Sequence, residues 1–494
     1  MMRILSSPLW ASVRNARGMS GDAGPLVATV LGSLLLSMLA FSSATIIGRD
    51  AALYLDVARQ AVEAGPSAAF QVFDWPWFSL LLAATRVVFG LHLEAAAYGW
   101  CAAFMAGTSV LLVLVTRRFS PMSAYWACLV ALSIPAFNQF RGDIIREHGS
   151  WFFSLLALCL ALRWFERGGW WRAAAIQTSI ALAALFRLEA VILVPALALC
   201  MLGELKARQG WNRLLQLNAL PLAGIIALGS ALLAGSLAGP RVATFLAMIE
   251  PQQLFLQFES MANQLAAAIL PDHAKVYAPR ILFFGLSLTL LTKFIALNGP
   301  LCLPLLERAN WLAVREYWRL LRPFACTWLL YLCVLLVFFV QLRFINSRYA
   351  SFLNLLVVPL LTMALVMFCR KHARWSRLMV LVLLVQMIAN VVSIKPGKTH
   401  YHEAAAWVAA NTRPDEPVYY EDARIAYYAG RGYPRTGVTG ERVITGQEAQ
   451  GYRYYLFTHK PNNETLQLWL SAQQKHVVRR FENHEGDTIL VIGP

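Results

Sequence analysis

Apolar runs long enough to cross a bilayer, about 20 residues each, alternate with short polar breaks over the first 390 or so residues of this 494-residue chain. They fall at Pro25–Ile47, Ala95–Val115, Ala124–Phe137, Trp151–Leu162, Ala173–Leu185, Val191–Leu202, Leu217–Leu237, Ile281–Leu303, Phe324–Val340, Phe352–Phe368 and Leu378–Val392. A further piece, Trp75–Gly90, is broken by Arg86 and carries Pro76 near its start, so it reads as a helix lying in the interface and not as a span. The pattern changes after Lys395. Tyr401–Pro494 holds no spanning run; His402–Ala410 and Glu464–Ala472 have helical spacing. Val418-Tyr419-Tyr420, Tyr454–Phe457 and Thr488–Ile492 read as strands. The fold class expected is a polytopic α-helical membrane protein of about eleven spans (residues 1–395), followed by a small α/β outer domain (residues 396–494).

Composition agrees with the pattern. Charged residues make up 14% of the chain against roughly 25% in a soluble protein, and the mean hydropathy is +0.53. The formal charge of +16 is carried by short segments between apolar runs and comes with no nucleic-acid motif, so no nucleic-acid partner is expected. Arg3, Arg14, Arg17, Arg117-Arg118, the Arg163/Arg167/Arg172 group, Lys206/Arg208/Arg213, Arg308–Arg322 and Arg370–Arg377 fall on one side if the spans alternate. The positive-inside rule makes that side cytoplasmic, with the N-terminus inside and the C-terminal domain outside, periplasmic in a bacterial inner membrane. The first apolar run is too long for a cleaved signal peptide. All eight cysteines lie in apolar runs without a C-x-x-C pair, which points to buried apolar packing and away from disulfides or zinc.

The outer breaks mix acids and bases, and candidate chemistry gathers there. Arg49-Asp50 follows the first span, where an ionisable pair costs desolvation energy. Asp50 has the character of a general base, and a solvated helix end is the competing reading. Arg141-Gly142-Asp143-Ile144-Ile145-Arg146-Glu147-His148 packs five ionisable side chains before a span. If it continues the following helix, Asp143 and Glu147 share a face at i, i+4. His148 reads as a hydrogen-bonding partner, since no second histidine stands at ligand spacing. Arg187 and Glu189 interrupt an apolar stretch, either as a turn-stabilising ion pair or as site groups. Arg343, Arg348 and Tyr349 stand between two spans, and arginine grips phosphate with a two-pronged fork. Lys275, with Asp272, His273, Tyr277 and Arg280, ends the long outer loop Gly239–Arg280, where facing water competes with holding a lipid phosphate. No Gly-rich phosphate loop, serine elbow or metal-ligand spacing occurs, so no cofactor is expected; a divalent cation is not implied by the sequence, and a metal requirement stays open.

Taken in order, several short stretches resemble the GT-C superfamily of polyprenyl-phosphate-dependent glycosyltransferases, in particular the bacterial relatives of the lipid A aminoarabinose transferase and of the protein O-mannosyltransferases. These are Arg49-Asp50 with Tyr54, Phe73-Asp74-Trp75-Pro76, Phe89-Gly90, Arg141–Asp143, Phe186-Arg187-Leu188-Glu189-Ala190 with Pro195, Arg348-Tyr349 with Pro359, and the C-terminal helix with Pro417-Val418. The resemblance implies an inverting sugar transfer on the outer membrane face, from a polyprenyl-phosphate-linked donor to a lipid- or glycan-borne hydroxyl. It implies Asp50 as the base, Asp143 as a second acidic site residue, and Arg348, then Arg187 and Arg141, at the donor phosphate. Arg49, Tyr54, Arg146, Glu147, His148, Glu189, Arg343, Tyr349 and Lys275 complete the candidate binding set. Ala51 and Leu53 stand where the aminoarabinose transferases carry Glu and Arg, and Asp74-Trp75-Pro76 where they carry Lys before Pro-Pro. These departures argue against aminoarabinose as the sugar. A transporter or flippase, or a non-catalytic envelope-assembly subunit, remains the alternative.

Overall fold

The structure is a computed structural model describing residues 23–233, 250–392, 397–434, 439–445, 451–458 and 464–494. Arg3, Arg14 and Arg17, Lys395, and the start of the Gly239–Arg280 segment lie outside the described residues. The fold is that of a polytopic α-helical membrane protein with a small C-terminal sheet. Among the described residues six helices are long and apolar enough to span: Gly24–Ser43, Leu93–Arg118, Glu147–Arg167, Arg322–Leu342, Ser347–Lys371 and a helical stretch within Asp272–Leu306. Chain contacts divide into two compact units. One comprises Met1–Leu39, Trp100–Arg141 and Arg146–Val391; the other comprises Ala40–Gly99, Gly142–Ile145 and Val392–Pro494.

In the first unit the Ser347–Lys371 helix is the most enclosed span, with most of its residues buried against Ala124–Ser133, Pro135–Asn138, Ala278–Asn298 and Arg322–Leu342. A helix apolar all round belongs in such a place. The Glu147–Arg167 and Trp170–Phe186 helices form a hairpin. Its turn is Gly168-Gly169, at φ of 60° and 107°, which side chains rarely adopt.

Two expected spans are divided. The Ala124–Phe137 run stops being helical at Ser133, because Ile134 precedes Pro135 and is driven to extended backbone (φ −60°, ψ 127°). Asn138 covers the break, its Nδ2 donating to the carbonyls of Ile134 at 2.6 Å and Ala131 at 3.0 Å. The Val191–Leu202 run divides into a 3₁₀ turn, Leu188–Ile192, and a short helix, Leu193–Cys200. The expected outer loop before Arg280 is instead largely helical, as Pro251–Ile269 and the 3₁₀ turn Asp272–Tyr277.

The second unit contains helices Arg49–Ala64, Pro66–Val72 and Trp77–Phe89. Arg49–Ala64, absent from the sequence reading, buries Ala51, Tyr54, Leu55, Ala58 and Ala61, one stripe at helical spacing. Trp77–Phe89 ends at Gly90 in the left-handed conformation (φ 68°) and leaves Val87, Val88 and Phe89 about 70% exposed, as an interfacial helix would. The C-terminal part folds around a four-stranded sheet of order β1-β2-β4-β3, with β1 Val418–Tyr420, β2 Tyr454–Phe457, β3 His476–Glu482 and β4 Thr488–Gly493. β1 and β2 run parallel, and the other neighbours are antiparallel. Strand alternation sends Leu456 to a core with Tyr401, Ala404 and Val408 of helix His400–Asn411. Tyr455 and Phe457 point the other way, to Leu466 and Trp469 of helix Glu464–Ala472.

Candidate functional site

The first unit gathers five of the sequence-selected residues. Arg187 is released from helix Trp170–Phe186 by extended backbone (φ −146°, ψ 118°). Its guanidinium donates from Nη1 to Glu147 Oε1 at 2.6 Å, and from Nη2 and Nε to Glu189 Oε1 and Oε2 at 2.5 and 3.3 Å. All three side chains are nearly buried. The reach between Arg187 and Glu147 depends on Gly149, where a Cβ would stand 2.4 Å from the Phe186 ring. The hairpin helices approach closely because that position has no side chain.

Arg348 joins this group from the first turn of the Ser347–Lys371 helix, whose N-terminus is capped by Asn346 Oδ1 accepting the Arg348 N–H at 3.1 Å. A cation in a first turn opposes the helix dipole. Glu147, which feels the charges of Arg187, Arg348 and Arg146, compensates it. The Arg187 guanidinium lies 4.5 Å over the Tyr349 ring, and the Tyr331 hydroxyl donates to the Tyr349 carbonyl at 3.0 Å. Glu147, Ser150, Ser154, Arg187, Tyr331 and Arg348 line a narrow cleft of about 20 Å³, room for a single water. Two guanidiniums, Arg187 and Arg348, and two carboxylates, Glu147 and Glu189, line this cleft.

A second polar group lies in the other unit. Asp50 occupies the first turn of helix Arg49–Ala64, where a carboxylate suits the dipole, and is half-buried. Arg49 Nε lies 3.7 Å from Asp422 Oδ2, and its Nη2 donates to the Glu421 carbonyl at 3.1 Å. Asp422 caps helix Ala423–Tyr428 and accepts from Arg424 Nε at 2.9 Å and Nη2 at 2.6 Å. Burial pushes the Asp422 carboxyl up, but Arg424 and Arg49 outweigh it and hold it below the usual carboxylate range. Burial, with the Asp422 charge, raises the neighbouring Tyr401 hydroxyl to about 12.

The other selected residues are dispersed. Asp143 precedes the helix that starts at Glu147, so the two acids do not share a helical face. Asp143 belongs with Asp50 to the second unit, whereas Glu147 and Arg348 belong to the first. Arg141 is buried among helices, donating to Asn138 Oδ1, the Ser33 carbonyl, Ser33 Oγ and Ser37 Oγ at 2.8–3.0 Å. His148 Nε2 lies 3.2 Å from the Phe140 carbonyl oxygen, its ring beside Trp151. Tyr54 is packed against Phe73 and Phe78. Arg343 caps helix Arg322–Leu342 at a positive φ of 59°, and Lys275 pairs with Asp272 at an exposed turn. Tyr331, Ser150 and Asp422 were not visible as site residues. Tyr331 sits inside an apolar run, and Asp422 carried only a capping signal before a short helix.

No protein-family model and no curated protein matches the sequence. Among solved structures the chain is similar to ArnT from Cupriavidus metallidurans in the apo state, a lipid A aminoarabinose transferase, at a TM-score of 0.54 and 14% identity. The match covers 96% of this chain and 98% of that one, so the two share one fold from end to end.

Proposed function

We propose that the chain is a GT-C-type membrane glycosyltransferase. It takes a sugar from a polyprenyl-phosphate-linked donor and passes it to a lipid- or glycan-borne hydroxyl on the outer face of the bacterial inner membrane. The observation that carries this reading is the fold shared over 96% of the chain with an aminoarabinose transferase. In this reading the acceptor hydroxyl gives its proton to Asp50 while its oxygen bonds to the anomeric carbon, and the bond from that carbon to phosphate oxygen breaks with inversion. The leaving polyprenyl phosphate is already a stable anion, so it calls for cations and not for a general acid. By the resemblance Arg348 is the first choice for that role, with Arg187 and Arg141 next, and Asp143 is the second acidic residue. Ala51, Leu53 and Asp74-Trp75-Pro76 argue for a sugar other than aminoarabinose.

Mass spectrometry of envelope glycolipids from cells carrying wild-type, Asp50→Asn or no protein tests this. A species short by one sugar in both altered strains, at equal expression, supports transfer with Asp50 as base. A wild-type profile from Asp50→Asn removes Asp50 from that role, and an unchanged profile on deletion favours transport or assembly. Arg348→Ala is expected to weaken apparent donor affinity by roughly 10–100-fold, the loss of one charge-assisted phosphate contact; unchanged affinity would take Arg348 out of the phosphate site.

A further inference from the structure

A groove of the first unit lies at a basic surface. It has a volume of about 830 Å³ and sits between the ends of helices Leu93–Phe119 and Glu147–Arg167. Its walls include Leu111, Leu114, Leu156 and Leu160, and its mouth carries Arg117, Arg118, Arg163, Arg167 and Arg172 against one acid, Glu166. Arg118 pairs with Glu166, and Arg172 Nη1 donates to the Gly168 carbonyl at 2.8 Å. Neither Arg163 nor Arg167 has a carboxylate partner among the described residues.

Dipole compensation accounts for only part of this cluster. Arg117, Arg118 and Arg167 are in last turns, where cations suit the helix. Arg163 stands a turn earlier, and Arg172 begins the next helix, where its charge opposes the dipole. An apolar slot with concentrated guanidiniums at its rim matches a molecule with a phosphate head and hydrocarbon tails. We propose that this groove binds an anionic phospholipid, its headgroup phosphate held by Arg163 and Arg167 and its acyl chains lying along Leu111, Leu114, Leu156 and Leu160. The site is separate from the Arg187 cluster and does not depend on the glycosyltransferase reading.

Native mass spectrometry of the delipidated full-length protein, titrated with phosphatidylglycerol or phosphatidylcholine of matched chains, tests it. Wild type is expected to retain phosphatidylglycerol in preference, and Arg163→Gln/Arg167→Gln to lower that retention by roughly tenfold or more, the effect of two interfacial cations on an anionic head. Arg374→Gln/Arg377→Gln, on another basic segment, is expected to retain it as wild type does. Equal retention of phosphatidylcholine, or undiminished retention by the groove variant, overturns the proposal. So does displacement of the lipid by millimolar inorganic phosphate, which would mark a site for the free ion. Should the groove variant fail to fold, thermal unfolding of wild type decides: stabilisation by phosphatidylglycerol and not phosphatidylcholine, weakened by 0.5 M salt as screening requires, is expected, and its absence overturns the proposal.

Discussion

At the scale of single residues, Arg187 is the group on which the most rests. Its charge is divided between Glu147, 40 positions earlier, and Glu189, two positions later. Removing one partner of a buried ionic group leaves the others uncompensated, at a cost of about 3–5 kcal/mol. Arg187→Gln is therefore expected to lower the thermal unfolding temperature in detergent markedly. Arg187→Lys, which keeps the cation between the two carboxylates, should lower it less; equal losses would show that the charge itself does not matter. The sequence displayed Arg187 and Glu189 as a break in an apolar stretch, and Glu147 as one acid among several, but nothing along the chain joined them. A pH effect belongs at this scale too. Asp422 has a lowered folded pKa, so its contribution is complete above the ordinary carboxylate range and is lost as pH falls through the lowered value. Asp422→Asn should cost roughly 2 kcal/mol near neutral pH and flatten the acid side of the stability profile. A variant profile parallel to that of wild type would contradict this.

At the scale of elements, the close crossing of Glu147–Arg167 and Trp170–Phe186 sets the cluster's geometry. A methyl at Gly149 would overlap the Phe186 ring, the residue next to Arg187. Gly149→Ala should cost about 1–3 kcal/mol by overpacking, and activity should fall with it because Arg187 is displaced from Glu147. Gly99→Ala, at a position with open space around its Cα, is the matched control; equal unfolding temperatures for the two would remove the packing argument. Such approaches were not legible, since a glycine inside an apolar run gives no hint of which ring faces it. The sequence did carry the helical spacing of His400–Asn411 and the strands β1, β2 and β4, whose residues are apolar and short-period. It missed β3, an edge strand with Arg479, Arg480 and Glu482 in its run and little burial, because exposed charges guard such an edge and erase the alternation. It also missed Arg49–Ala64, whose apolar stripe is built largely of alanine and carries little hydropathy signal.

At the scale of the molecule, a multi-pass fold was written in the 14% charged content and the recurring apolar runs, while their exact division was not: prolines and 3₁₀ turns split runs that hydropathy alone leaves whole. A sidedness is proposed from the same composition. Basic segments alternate with mixed-charge ones along the chain, and we propose from the positive-inside rule that the first kind lies in the cytoplasm and the C-terminal domain outside. Single cysteines in a Cys333→Ser background test this, since Cys333 is the exposed native thiol among the described residues. Ser471→Cys, on the surface of helix Glu464–Ala472, should react with a membrane-impermeant maleimide in intact spheroplasts. Arg374→Cys, in the first turn of helix Ala373–Ala389 and within the basic segment Arg370–Arg377, should react only after permeabilisation. The reverse pattern would put the C-terminal domain in the cytoplasm and defeat the outer-face reading, because the Arg49–Asp422 contact then belongs to a domain that never meets the periplasm. Labelling of both positions in intact cells would mean that the two segments share one side, and that the number of crossings between them is even.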